Sequence, residues 1–239
     1  MASIDIGTNT ILLLIAEVGK GRIKPLFEME TVVRLGERIH ENGILLKEAM
    51  SRGLQTLSQY LERCRAMEVQ KIFAIGTSAL REAKNSQDFL KLVEEKLDLS
   101  IEVISGEEEA QLSFLAVTRD LEETGRTFLV VDIGGGSTEF ILGKGDQIQQ
   151  WMSLPLGSVR FTERFLRSDP VREEEWQEME REIRNLLINI PHTEEPLLVV
   201  AVGGTASTLA SVEQGLEEFV VEKIHRFVLK KEALKNQLL

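Results

Sequence analysis

Two short stretches of this chain repeat each other 127 residues apart, and that spacing restricts the fold more than any other feature. Ile4-Asp5-Ile6-Gly7-Thr8-Asn9-Thr10 lies on Val131-Asp132-Ile133-Gly134-Gly135-Gly136-Ser137. Both read as an apolar residue, an aspartate, an isoleucine, a glycine, then small residues. At the same offset Ala74-Ile75-Gly76-Thr77-Ser78-Ala79 falls on Ala201-Val202-Gly203-Gly204-Thr205-Ala206. Two independent matches at one offset imply an internal duplication, with a period far longer than any solenoid repeat. The expectation is two related domains, residues 1–120 and 121–239.

The second copy of the repeat carries the more pointed chemistry. An apolar run, Phe128 to Val131, delivers Asp132 into Gly134-Gly135-Gly136. Ser137, Thr138, Glu139 and a second apolar run, Phe140 to Leu142, follow. This pattern predicts strand, tight turn, strand. Glycines remove Cβ atoms, so backbone N–H groups can approach an anion closely. The hydroxyls of Ser137 and Thr138 suit phosphate oxygens, and Asp132 and Glu139 offer hard oxygens to Mg²⁺ or its waters. Taken alone, the stretch fits an ordinary glycine-turned hairpin equally well. The duplication adds a second Asp–Gly turn, and two such turns could face each other across a cleft.

The remaining pattern is alternating strand and helix. Ser3–Ile6, 11–18 and 22–30 read as strands, with residues 19–21 as a turn and Thr8, Asn9 and Thr10 in a loop. Plain turn chemistry also accounts for that loop. Apolar residues at 46, 50, 54, 57, 61 and 64 predict a helix over 47–67, with Cys64 as a small buried hydrophobe. Residues 71–75 form a strand entering Gly76, and Arg81 and Lys84 follow. A guanidinium fork matches phosphate oxygens, although a surface arginine fits the pattern as well. After a strand at 101–104, Ser105-Gly106-Glu107-Glu108 has the form of a capping box. Glu109 is left over from the cap and shares a helix face with Leu112, Ser113 and Ala116. Helix-start acidity is the ordinary explanation of all three glutamates. Residues 121–126 are a linker and a candidate hinge. Gly157 and Arg160 open a further helix, where Arg160 could equally be a surface residue. The charged run 171–190 reads as a helix with a solvated face. Strand 197–202 then meets Gly203-Gly204-Thr205, a ready anion site, ahead of a helix from Ala206.

Paired glycine-rich loops in duplicated domains resemble the actin, sugar-kinase and heat-shock ATPase superfamily. Within it, the chain resembles the exopolyphosphatase / guanosine pentaphosphate phosphohydrolase family. The residues carrying this are 3–10, Gly76 to Ala83, Ile104 to Ala110, Asp132 to Glu139, Leu156-Gly157 and Gly203-Gly204-Thr205, in the family's order and spacing. The resemblance implies an α/β fold of two actin/ribonuclease-H-like domains with a phosphate-binding cleft between them. It implies Mg²⁺-dependent release of orthophosphate from polyphosphate, from the 5′ end of guanosine pentaphosphate, or from both. Glu109 matches the family's catalytic glutamate, with Arg81 supporting the transferred phosphate. Gly7, Thr8, Asn9, Thr10, Gly134, Gly135, Gly136, Ser137, Thr138, Gly157, Gly203, Gly204 and Thr205 would bind phosphates. Asp5, Asp132 and Glu139 would hold the metal. Alternatives are a small-molecule kinase of the same superfamily and a non-catalytic polyphosphate or nucleotide sensor. Family members continue beyond a His-Gly pair; here the matching pair is His225-Arg226 and the chain stops at Leu239. The second domain is therefore expected to be incomplete.

Charge and composition narrow the partners. A formal net charge of −11 argues against general nucleic-acid binding. The first half holds 15 basic and 19 acidic residues and the second 13 and 20, so any polyanion path must be local. One cysteine excludes an internal disulfide and fits a reducing compartment. His40 and His192 lack metal-ligand spacing. The amino terminus has no signal-peptide pattern and no apolar run is long enough to span a bilayer, so the expectation is a cytoplasmic protein without membrane partners. A homodimer is compatible with the sequence.

Overall fold

A computed structural model describes residues 1–19, 22–121 and 125–237. The chain runs β1 (Ala2–Ile6), β2 (Thr10–Gly19), β3 (Arg22–Val32), α1 (Ile39–Asn42), α2 (Lys47–Ala66), β4 (Ile72–Gly76), α3 (Ser78–Glu82), α4 (Ser86–Leu97), β5 (Glu102–Val103) and α5 (Gly106–Leu121). It continues with β6 (Thr127–Ile133), β7 (Thr138–Lys144), β8 (Gln147–Leu154), α6 (Ser158–Phe165), α7 (Glu173–Leu186), β9 (Leu197–Val202), α8 (Gly203–Glu213), α9 (Val221–Ile224) and α10 (Lys231–Asn236). Residues 20–21 of the expected turn and 122–124 of the candidate hinge lie outside the described residues. Among those described, no helix is long and apolar enough to cross a membrane.

Two compact units emerge. The first comprises Met1–Glu109, Gly135–Ser137 and Pro155–Ile188; the second comprises Ala110–Gly134, Thr138–Leu154 and Asn189–Leu239. Each holds one sheet. In the first the order is β3-β2-β1-β4-β5, with β1–β2–β3 antiparallel and β1–β4–β5 parallel. In the second it is β8-β7-β6-β9, the same order without a fifth strand among the described residues. This is the two-sheet α/β architecture that the resemblance implied.

The duplication survives down to individual strand pairs. Asp5 pairs with Leu12 on one side and Ile75 on the other. Asp132 pairs with Glu139 and Val202, each partner displaced by 127 residues. The β-bulge repeats as well, with an extra residue in β3 opposite Ile15 and Ala16 and in β8 opposite Leu142 and Gly143. Only the outer hairpin differs. Leu12 meets Glu30, whereas Glu139 meets Ser153, so the second hairpin is four residues shorter.

Alternation along the strands decides which face is buried. Ile4, Ile6, Ile11, Leu13, Ile15 and Ala74 point into the core of the first unit and meet Leu57, Tyr60 and Cys64 of α2 and Phe89 and Val93 of α4. Tyr60 is fully buried, and its hydroxyl donates to the Ile11 carbonyl at 2.8 Å, with Thr31 Oγ1 at 2.9 Å. Burial pushes the Tyr60 phenol and the Cys64 thiol above their ordinary pKa values. In the second unit Ala110, Phe114 and Val117 of α5 pack on Phe128, Val130 and Ile141. Phe161 and Phe165 of α6 form a third cluster with Met179 of α7, so the charged run has one apolar stripe. The strand expected at 101–104 shortens to two residues. The helix expected from Ala206 begins at Gly203, because the chain turns directly from β9 into α8.

The start of α7 is fixed by Glu175. It accepts from the Ser168 hydroxyl at 2.7 Å and pairs with Arg172 at 2.9 Å. These contacts, the Ser168 hydrogen bond foremost, hold its carboxyl at about 2, below the ordinary 4.5. A depressed carboxyl stabilises the fold above the unfolded-state value and loses that contribution as pH falls toward the folded value. Thermal unfolding between pH 7 and 2.5 should show stability declining below pH 4.5. Glu175→Gln should lower the melting temperature at neutral pH and flatten that decline. An unchanged acid limb in the variant would contradict the assignment.

Candidate functional site

In the first unit, the loop after β1 is held by its carbonyls. Gly7 N–H donates to Thr10 O at 2.9 Å and closes the turn. Gly36 N–H donates to Thr8 O, and Val33 and Arg34 N–H both donate to Asn9 O, at 2.8–2.9 Å. In a trans peptide the carbonyl and the next N–H point opposite ways. Fixing the Thr8 carbonyl therefore fixes the direction of the Asn9 N–H. Thr8 itself is buried, and its Oγ1 has no hydrogen-bond partner among the described residues. A buried hydroxyl in that state is costly unless a ligand or water completes it.

The glycine turn is held the same way. Val159 and Arg160 N–H donate to Gly135 O at 3.0 and 3.1 Å, and Arg160 Nε donates to Gly136 O at 2.7 Å. Space is made by Gly157, where a Cβ would stand 2.3 Å from the Gly135 oxygen and 2.5 Å from Gly136 N. Thr8 Oγ1 and Ser78 Oγ flank Gly136, 2.6 and 2.7 Å from where its Cβ would be. With buried Ser137 and Thr77, these form a hydroxyl-rich lining suited to phosphate oxygens. Gly7, Thr8, Asn9, Thr10, Gly135, Gly136, Ser137 and Gly157 thus all belong to the first unit.

Arg81 and Glu109 also meet there. Arg81 Nη1 donates to Glu109 Oε2 at 3.0 Å and to the Ile104 carbonyl at 3.0 Å. The pair is about one-fifth exposed, at 26% and 18% of the side chains. The capping box forms as expected: Glu108 N–H donates to Ser105 Oγ, and Ser105 N–H to Glu108 Oε2. Hydrogen bonds from Ser105 hold the Glu108 carboxyl below its ordinary value. Glu109 is left to face Arg81, so Arg81 bears first on the glutamate's orientation. Lys84 is exposed and lies beside Gly43.

The second unit gathers the carboxylates. Asp132 and Glu139 are direct cross-strand partners, so their side chains share one face of the sheet. Glu139 is 1% exposed. Ser113 Oγ donates to Asp132 Oδ2, and Ser153 Oγ to Glu139 Oε1, both at 2.7 Å. Burial pushes the Asp132 carboxyl above its ordinary range, and the Ser113 hydrogen bond offsets only part of that. Asp132 Oδ1 lies 3.0 Å from where a Cβ on Gly203 would stand; Gly203 has φ +87° and opens α8. Gly204 and Thr205 follow in the first turn of that helix, where N–H groups lack intrahelical partners. Gly134 and Thr138 complete the set in this unit. Asp5 belongs to the first unit. Among the described residues, no three His, Cys, Asp or Glu side chains cluster as a complete metal cage. Mg²⁺ commonly takes one or two carboxylates, the rest being water and substrate phosphate. Two adjacent, desolvated carboxylates fit that donor set.

Residues 14–235 match the Ppx/GppA phosphatase family. The chain belongs to that family. It is 34% identical over 237 residues to exopolyphosphatase 2 of Mycobacterium tuberculosis, covering 94% of this chain and 74% of that protein. Among solved structures, the Ppx/GppA family member of Aquifex aeolicus is 34% identical with a TM-score of 0.75, over 99% of this chain and 76% of that one. An exopolyphosphatase from Cytophaga hutchinsonii is 31% identical with a TM-score of 0.89, over 99% and 77%.

Sequence reasoning overlooked several side chains that hold these groups. The sequence pattern fits Arg160 to surface or site alike; its side chain is 14% exposed and Nη2 contacts both Glu82 oxygens, at 2.5 and 2.6 Å. Glu82 also accepts from Ser78 Oγ at 3.0 Å. The spacing places Ser113 on the Glu109 face but gives no sign of its contact with Asp132, and Ser153, an isolated serine, carries no spacing signal at all. Glu82 did have one: it follows Arg81 with opposite charge at the end of a five-residue helix.

Asp132 generates a stability prediction. A raised carboxyl holds its proton to higher pH in the folded state than in the unfolded one. Without metal, stability therefore falls as pH rises above the ordinary 3.8 through the shifted value. Asp132→Asn should remove that fall and raise the melting temperature of metal-free protein at pH 7. A lower melting temperature in the variant would mean the carboxylate stabilises the apo fold.

Proposed function

We propose that the chain hydrolyses the terminal phosphoanhydride of inorganic polyphosphate and releases orthophosphate. The observation that carries this reading is the Arg81–Glu109 contact, which aims a carboxylate that the helix cap does not use. In the proposed reaction, Glu109 takes a proton from water as the water oxygen bonds to the terminal phosphorus. The bridging P–O bond breaks, and the shortened chain leaves as an anion. Arg81 keeps Glu109 in one orientation, which matters because phosphoryl transfer depends mainly on positioning and charge neutralisation. Gly7 to Thr10 and Gly135 to Ser137 bind successive phosphates through N–H groups and hydroxyls. Gly134, Thr138, Gly157, Gly203, Gly204 and Thr205 extend that set. Asp132 and Glu139, with Asp5, would hold Mg²⁺, which when bound neutralises charge developing on the phosphate oxygens.

The family relationship supports polyphosphate first, since the relatives matched include proteins named exopolyphosphatase. We extend the proposal to the 5′ end of guanosine pentaphosphate as a second substrate, because its terminal anhydride presents the same bond. We also keep residues 1–120 and 121–239 as the two duplicated halves, on the strength of the repeated strand registers. The single buried Cys64 is in keeping with a reducing, cytoplasmic setting.

Phosphate release from medium-chain polyphosphate, with and without Mg²⁺, tests the activity. A positioned general base contributes about 10²–10⁴-fold. Glu109→Gln should therefore reduce kcat by at least ~100-fold, with KM and melting temperature near those of the wild type. Turnover within a few-fold of wild type would remove Glu109 from the mechanism. Tight polyphosphate binding without any turnover in the wild type would favour a sensor.

A further inference from the structure

The two phosphate-loop candidates of the first unit are pinned by different kinds of donor. Around the loop after β1, backbone N–H groups of Val33, Arg34 and Gly36 occupy the Thr8 and Asn9 carbonyls. Around the glycine turn, backbone N–H groups of Val159 and Arg160 occupy only the Gly135 carbonyl. The Gly136 carbonyl is occupied by a side chain, Arg160 Nε, at 2.7 Å. That guanidinium is in turn held by both oxygens of Glu82. Glu82 ends α3, and its neighbour Arg81 contacts Glu109. One short helix therefore holds the glutamate with one residue and the glycine turn with the next.

We propose that Arg160, oriented by Glu82, is a positioning residue that keeps the Gly136 carbonyl turned away from bound phosphate. The inference rests on the hydrolase reading for its kinetic consequence, though not for its structural one. Peptide planarity makes the geometry strict. With the Gly136 oxygen on Arg160, the Ser137 N–H points the opposite way, where it can donate to an anion. Once freed of that contact the Gly136–Ser137 peptide can flip, since Gly136 has no Cβ to oppose rotation about its ψ and only Ser137 resists on the other side. The flipped plane would present a carbonyl oxygen to the phosphate in place of a donor. Arginine suits the task because its fork serves two acceptors at fixed angles, Nε for the carbonyl and Nη2 for the carboxylate. Lysine has one nitrogen and cannot reproduce that arrangement.

The test combines kinetics on medium-chain polyphosphate with amide hydrogen exchange in the unliganded protein. Losing one charge-assisted donor should weaken phosphate binding about tenfold. Arg160→Gln and Arg160→Lys should each raise KM by about that factor, with kcat changed much less. Both should speed exchange at the Ser137 amide, the N–H of the peptide whose carbonyl Arg160 holds. Glu82→Gln should do the same more weakly. The exchanged pair, Glu82→Arg with Arg160→Glu, restores an ion pair without the Nε donor. It should fail to restore KM, whereas rescue would mean that the pair serves structure alone and would overturn the proposal. Arg160→Lys keeps the charge and most of the packing, so it decides the matter if Arg160→Gln does not fold. Unchanged exchange at Ser137 in a folded variant would overturn the proposal too. If wild-type protein releases no phosphate, the hydrolase reading fails, and the exchange measurement still decides the inference.

Discussion

Each sheet depends on one central strand that is hydrogen-bonded on both sides, antiparallel to a hairpin and parallel to a crossover strand. β1 and β6 fill that position, and each ends in Asp-Ile followed by a glycine turn. The register of these two strands decides where every later group falls. A slip of one residue would move Asp5 or Asp132 to the opposite face and bury the wrong side of the sheet. The apolar cores under the sheets make such a slip costly, so packing far from the site fixes the side chains in it.

From that frame the chemistry is built by restraining polar groups. Loop carbonyls are occupied from behind, which fixes the direction of the N–H groups that follow them. The carboxylates are treated in two ways. Glu109 faces a guanidinium, and Glu139 and Asp132 each receive one serine hydroxyl while remaining desolvated. The first arrangement holds a carboxylate toward a guanidinium. The second keeps two negative charges close together, an arrangement that a cation would relieve.

Much of this was legible in the sequence because it rests on patterns with a fixed period. The 127-residue offset foretold both sheets, since a duplicated strand order must reuse its registers. Apolar spacing foretold α2, and Ser105 with Glu108 foretold the cap of α5. What was not legible depends on long-range contacts between single residues. Nothing local to Arg160 says that it reaches Gly136 and Glu82, which stand 24 and 78 positions away. Ser113 and Ser153 are equally silent until α5 and β8 bring them to their carboxylates. The early start of α8 was missed because two glycines suggest a loop, although at a helix's first turn they leave its N–H groups accessible.

The repeated register also carries one difference. The position opposite the loop aspartate is leucine in β2 and glutamate in β7, Leu12 being 41% exposed and Glu139 almost wholly buried. An ancestor assembled from two identical copies of one half would have carried the same residue at both places. A chain built from two first halves would carry no such acidic pair, and one built from two second halves would carry two.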